Sequence, residues 1–234
     1  MRIELKERPK SPIIIEGFPG FGLVGTIATE FLINHLDAKK IGTIWSEDLL
    51  PIATVHESKI IEPLGIFYSK KYNIIIIHAL SVIKGLEWEI SDMLIKLCKD
   101  LKCKELISIE GIGTPQANSN PNTYYFSTDV SRKKALEKIG LTPLKEGIVM
   151  GVTGALMLKK KDLSCIFVES SFGLADSKAA AKIIEVLDKY LGLKVDFQPL
   201  LKAAEEFEKK LVGLMEKGND AIRQKEKKDL SYVG

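Results

Sequence analysis

The chain has 234 residues, 45% of them hydrophobic and 28% charged. These proportions exclude a disordered or collagen-like chain, and at about 100–200 residues per domain the length suits one large domain, or one domain with an extension. With 34 Lys and Arg against 31 Asp and Glu, the net charge of +3 is too balanced to point to nucleic acid or a membrane surface. No stretch reaches the roughly 20 apolar residues of a membrane span. The opening Met1-Arg2-Ile3-Glu4-Leu5-Lys6-Glu7 lacks the apolar core of a signal peptide, so a cytoplasmic location is expected. Cys98, Cys103 and Cys165 form an odd set without a CxxC spacing. Buried, reduced thiols are expected, rather than a disulfide framework or a zinc ribbon.

Pro12-Ile13-Ile14-Ile15 reads as a buried strand ended by Gly17. Helical spacing follows over 23–36, with Val24, Ile27, Ala28, Phe31 and Leu32 on one side. A second strand is predicted over 41–45, and a short one over 52–56. Segments 60–68 and 72–78 bracket Ser69-Lys70-Lys71 as a hairpin, and Ile74-Ile75-Ile76-Ile77 is apolar on both faces, as a central strand must be. A helix over 86–101 should face Trp88, Met93, Leu94, Leu97 and Leu101 inward. Leu106-Ile107-Ser108-Ile109 is another strand, 115–121 a polar loop, and 123–127 a further strand. Asp129 can cap a helix over 130–139. A strand is predicted over 148–152, a short helix from Ala155 to Leu158, and a strand over 164–168. Asp176 or Ser177 caps a last helix to Leu191, ended by Gly192.

Strands alternating with helices predict a three-layer α/β/α sandwich around a mixed, mostly parallel sheet, over residues 1–192. Residues 193–234 read as a C-terminal helical extension and flexible tail. Within 200–228, Leu200, Ala204, Phe207, Leu211, Leu214 and Ile222 make a narrow apolar seam suited to another helix. Phe207, Leu211, Leu214 and Ile222 are the candidate oligomer contacts.

Two constellations could carry chemistry. Gly20-Phe21-Gly22-Leu23-Val24-Gly25 matches GxGxxG between a strand and a helix, and Glu47 lies 22 residues beyond Gly25, where a ribose-binding acid would stand. The plainer reading is that Gly17, Gly20, Gly22 and Gly25 allow a tight turn and close helix–sheet packing. In the second, Glu16, His78, Glu110 and Glu169 each directly follow an apolar strand. If those strands are parallel, the four groups gather along one carboxyl edge, where α/β proteins place ligands. Crowded carboxylates there could raise one another's pKa or hold a divalent cation; the alternative is that each accepts hydrogen bonds from nearby turns. GxSxG, HExxH and GxxxxGK[ST] are missing from the sequence. Ser170-Ser171 stands well for a nucleophile, yet no histidine is placed by sequence to activate it.

Four segments together resemble the proteasome-assembly chaperone 2 family, in its archaeal members. They are Glu16-Gly17-Phe18-Pro19-Gly20-Phe21-Gly22-Leu23-Val24-Gly25, Glu110-Gly111-Ile112-Gly113-Thr114-Pro115, Gly151-Val152-Thr153-Gly154-Ala155-Leu156-Met157 and Lys178-Ala179-Ala180-Ala181, in the family's order across about 10–200. The resemblance implies an α/β/α sandwich without an established catalytic activity, and it makes the glycine segments scaffold; no enzyme activity, cofactor or metal is expected. It implies action on the α-subunits of the 20S proteasome, and a homo-oligomer, alone or with a paralogue. Relatives that bind proteasomes often end in hydrophobic–Tyr–X, a tail whose carboxylate pairs with a lysine between α-subunits. Here the chain closes Ser231-Tyr232-Val233-Gly234, with Tyr232 third from the end and Ser231 in the hydrophobe's place. Leu230, Tyr232, Val233 and the carboxylate of Gly234 are the candidate partner contacts. The competing function is a nucleotide-binding protein or enzyme using the Gly20–Gly25 loop or the Glu16, His78, Glu110 and Glu169 edge.

Overall fold

Strands whose side chains are apolar on both faces can only lie where both faces are covered, and four such strands form the middle of the sheet. In a computed structural model, described over residues 1–49, 54–56, 59–61, 63–80, 84–114, 120–160, 162–171 and 175–196, they are β2 (Ile13–Gly17), β7 (Ile74–Ala79), β8 (Glu105–Thr114) and β11 (Ser164–Ser171). They run parallel in the order β7-β2-β8-β11. Flanking strands extend the sheet. On one side lie β6 (Leu64–Ser69), β3 (Lys39–Trp45) and β1 (Arg2–Leu5), each antiparallel to its neighbour. On the other side lie β9 (Thr123–Ser127), antiparallel to β11, and β10 (Thr142–Pro143), parallel to β9. A separate hairpin joins β4 (Thr54–His56) to β5 (Lys59–Ile61). The sheet is therefore mixed, with three parallel pairs in its centre, antiparallel pairs on either side of them, and one further parallel pair, β9 with β10, at an edge.

Helices cover both faces. On one, α1 (Val24–His35) and α5 (Ser177–Leu191) pack over Ile15, Ile76, Ile107, Ile109, Ile166 and Val168. On the other, α2 (Glu87–Leu101) and α4 (Gly151–Lys159) pack over Ile14, Ile75, Ile77, Leu106 and Phe167. This is the α/β/α sandwich expected from the sequence. Alternation along each strand decides which face a residue serves. The chain beyond α5 returns to the first face, where Leu193 and Val195 are buried with α1 and α5, and Tyr72 donates to the Leu193 carbonyl at 2.7 Å.

Caps fall where the residue types place them. Asp176 accepts from the Ala179 N–H at 2.9 Å, and Gly192 ends α5 in the left-handed conformation. Asp129 accepts from the Arg132 N–H at 2.8 Å at the start of α3 (Val130–Lys138). Asp129→Ala should lower stability by about 1 kcal/mol, read as an earlier urea midpoint with an unchanged slope.

Two local expectations differ from the structure, and one strand, β1, is additional to those expected. Residues 148–152 are not a strand: Met150 is the N-cap of α4, which buries Val152, Ala155 and Leu156 at helical spacing and leaves Ile148, Met150 and Leu158 exposed. Trp88 does not face inward; it is 50% exposed and lies under the Lys159 ammonium, 5.0 Å from its ring centroid. The charged opening residues form β1, whose Ile3 and Leu5 turn toward the core while Arg2 and Glu4 face water. The seam residues Phe207, Leu211, Leu214 and Ile222, and the tail residues Leu230, Tyr232, Val233 and Gly234, lie outside the described residues.

Candidate functional site

The topology brings Glu16, His78, Glu110 and Glu169 onto four adjacent parallel strands. Strand alternation then separates them. Glu16, Glu110 and Glu169 share the face of Ile14, Leu106 and Phe167, beneath α2 and α4, whereas His78 points with Ile74 and Ile76 toward α1. The edge expected to hold one cluster of four therefore holds separate groups.

The histidine group ties β7 to α1. His78 Nδ1 lies 2.8 Å from Thr29 Oγ1, and the Thr29 hydroxyl donates to the Gly25 carbonyl at 2.8 Å. Nε2 lies 3.1 Å from Glu30 Oε2. Burial pushes the imidazole below its ordinary pKa and the Glu30 carboxylate opposes that shift. Thr26 adds a second tie, donating to the Ala79 carbonyl at 3.1 Å.

Glu16 and Glu110 form the second group. Glu16 has no solvent exposure, and neither of its carboxyl oxygens makes a well-aligned hydrogen bond. The register sets Glu16 beside Ser108. Ser108 donates to Thr153 Oγ1 of α4 at 2.8 Å, and Thr153 donates to Glu110 Oε2 at 3.1 Å. A chain of hydroxyls therefore runs from Glu16 toward Glu110. Burial raises the Glu16 carboxyl to about 8; nearby Ser108 opposes the shift and Glu110 adds to it. Burial likewise raises Glu110 to about 8 against hydrogen bonds from Thr153 and the Gly111 N–H. Both carboxyls hold protons well above the ordinary carboxylate range. Ser108 and Thr153 escaped the sequence reading, although Ser108 is a lone polar residue in an apolar strand and period-two counting puts it on the same face as Glu110.

Glu169 belongs to neither group. It receives the Tyr124 hydroxyl at 2.8 Å and the Asn122 side-chain amide at 3.0 Å, and so fastens β11 to the chain entering β9. Among the described residues, no three His, Cys, Asp or Glu side chains are placed to hold a metal ion.

The glycine loop is packed with protein atoms. A Cβ on Gly20 would overlap Glu110 Oε1, and one on Gly22 would overlap Ser170 Oγ. Gly17 and Gly25 face each other so closely that a Cβ on either would press into backbone. The space over Gly20 and Gly22, where a fingerprint glycine loop lets a pyrophosphate approach, is taken by Glu110 and by Ser170, which donates to Asp176 at 3.2 Å. Glu47 fails the fingerprint for a second reason. It follows β3, and β6 and β7 stand between β3 and β2. Three strand spacings amount to about 14 Å, so Glu47 is not the neighbouring-strand acid that its sequence distance suggested. Its 22-residue offset arises from a different strand order.

Comparison with known proteins agrees with this architecture. Residues 14–215 match the PAC2 family. The crystal structure of Pyrococcus furiosus PbaA, described as an archaeal homolog of proteasome-assembly chaperone, superposes with a TM-score of 0.85 at 31% identity, covering 94% of this chain and 99% of that one. Pyrococcus furiosus PbaB, described as an archaeal proteasome activator, gives 0.74 at 25% identity over 91% of this chain and 98% of that one. An uncharacterized protein of Methanocaldococcus jannaschii is 27% identical over 231 residues, which is 96% of this chain and 94% of its own. A parallel four-strand centre with its glycine loop filled from within, and a family match across most of the length, lead to one assignment: the chain belongs to the PAC2 family.

Proposed function

We propose that this protein is a non-enzymatic, cytoplasmic proteasome-assembly chaperone or proteasome-interacting adaptor that acts as an oligomer on the α-subunits of the 20S proteasome. The observation that carries this reading is the near full-length likeness to PbaA in sequence and fold together. The filled glycine loop supports it, because a site already occupied by Glu110 and Ser170 offers a nucleotide phosphate a carboxyl group rather than free N–H donors. The seam with Phe207, Leu211, Leu214 and Ile222 joins copies, alone or with a paralogue. The tail residues Leu230, Tyr232 and Val233 and the Gly234 carboxylate meet the partner. Each tail contact is weak, and several presented together gain avidity.

Capture of 20S α-subunits by the full chain and by a version ending at residue 228 tests this reading. Full-length protein should retain α-subunits, and the shortened one should hold at least about tenfold less, as expected when linked weak contacts are lost together. Failure of both to bind removes the partner; equal binding removes the tail's role and leaves the body as the contact.

A further inference from the structure

Cys98 and Cys103 stand five residues apart in sequence, and the way α2 ends brings them together. Lys102 adopts the left-handed conformation (φ 52°, ψ 49°). The Cys103 N–H bonds the Cys98 carbonyl at 2.9 Å, and the Lys102 N–H bonds the Lys99 carbonyl at 3.1 Å. This pair of bonds is a Schellman motif, and it places the side chains of Cys98 and Cys103 in contact across the helix end. In many Schellman motifs an apolar pair fills those two positions; here the two side chains are thiols, both packed against the core beneath α2.

We propose that Cys98 and Cys103 are a redox-active dithiol that closes to an intrachain disulfide by exchange with low-molecular-weight disulfides. The two thiols divide the roles. Cys103 is half-buried and reachable, whereas Cys98 is buried. The hydrogen bond from Cys98 lowers the Cys103 pKa against burial, with help from the Lys160 and Arg132 charges and opposition from Asp162. Sharing its proton with Cys103, together with burial, raises Cys98. Cys103 is therefore the attacking thiolate and Cys98 the resolving thiol. In the first step the Cys103 thiolate attacks one sulfur of an external disulfide, forming a mixed disulfide and releasing one thiolate, which takes up the proton Cys103 gave to solvent. In the second, Cys98 loses its proton and attacks the Cys103 sulfur, releasing the second external thiol. One external disulfide is reduced to two thiols, and the two protein thiols are oxidised to one disulfide. Cys165 takes no part: it lies fully buried in β11, and burial holds its pKa well above the ordinary thiol value.

Closure would act on a junction of the fold. The adjoining Leu101 carbonyl accepts from the Ser11 N–H at 2.9 Å, and the Lys104 N–H donates to the Pro12 carbonyl at 2.9 Å. The disulfide therefore fastens the end of α2 to the start of β8, beside the entry to β2.

The test uses the full chain, oxidised glutathione as probe, and Cys98→Ser, Cys103→Ser and Cys165→Ser variants. The unaltered protein and Cys165→Ser should lose about 2 mass units, the two hydrogens of a closed disulfide, without retaining glutathione. A non-reducing tryptic digest should show the Cys98 peptide linked to the Cys103 peptide. Cys98→Ser should accumulate one stable glutathione adduct at Cys103. The proposal is overturned if the folded, unaltered protein keeps all three thiols free under glutathione that modifies the urea-unfolded chain. It is equally overturned if glutathione stays on Cys103 while Cys98 is present, or if the linked peptides involve Cys165.

Discussion

At pH 9 the Glu16→Gln protein should be more stable to urea than the unaltered protein, and at pH 5 the two should be nearly equal. Glu16 is buried with no solvent exposure, and its pKa rises from an ordinary 4.5 to about 8 in the folded chain. Between those values the folded state holds a proton that the unfolded state has lost. Stability therefore falls as pH rises through that window and levels off above about 8. Glu110 contributes a slope of the same sign. A shift of about 3.5 pKa units corresponds to at most about 5 kcal/mol at full ionisation, and relaxation around the charge reduces it. Glutamine keeps the shape of the protonated acid and cannot ionise. Urea titrations at half-unit steps from pH 5 to 9 measure the difference. A gap of constant size across that range would show that Glu16 does not hold its proton in the fold.

The sequence made the architecture legible where a residue type leaves few options. Ile74-Ile75-Ile76-Ile77 has no face that tolerates water, so the centre of the sheet was readable, and Asp129, Asp176 and Gly192 mark helix ends by their own chemistry. What failed were features decided by pairing over distance. The GxGxxG spacing with an acid 22 residues on describes a strand–loop–helix and a following strand, but it does not say whether those two strands are neighbours. Here β6 and β7 stand between them. Period-two alternation could have assigned His78 to one face and the three glutamates to the other. That required the registers of β2, β7, β8 and β11, which no single strand reveals. The strand expected over 148–152 failed because a short apolar run fits either period, and only the packing of Val152 and Leu156 beside α2 selects the helix. Cys98 and Cys103 showed no recognised spacing. Their contact follows from the left-handed Lys102, a backbone choice that a lysine does not advertise.

The largest loss of stability should come from adding one methyl group at Gly17. Its Cβ would overlap the Gly25 carbonyl oxygen, stand 2.7 Å from the Gly25 carbonyl carbon and lie 2.8 Å from Thr29 Cγ2. Backbone on α1 cannot swing aside as a side-chain end can, and Thr29 is held by its bonds to the Gly25 carbonyl and to His78. The first turn of α1 would have to lift away from β2, separating His78 from Thr29 and opening the core around Val24 and Ile27. Gly17→Ala should therefore cost upwards of about 3 kcal/mol, beyond ordinary overpacking. Gly20→Ala provides the contrast. Its Cβ meets the carboxyl end of Glu110, a side chain with torsions left to move, so its cost should stay near 1–2 kcal/mol, in the ordinary overpacking range. A pyrophosphate-binding loop predicts the reverse ranking of consequences: methyl groups at the approach glycines would leave the fold intact and abolish ligand binding. Urea midpoints for the two variants separate the cases. If Gly17→Ala unfolds at the same urea concentration as the unaltered protein, the contact between β2 and α1 is not what the glycines serve.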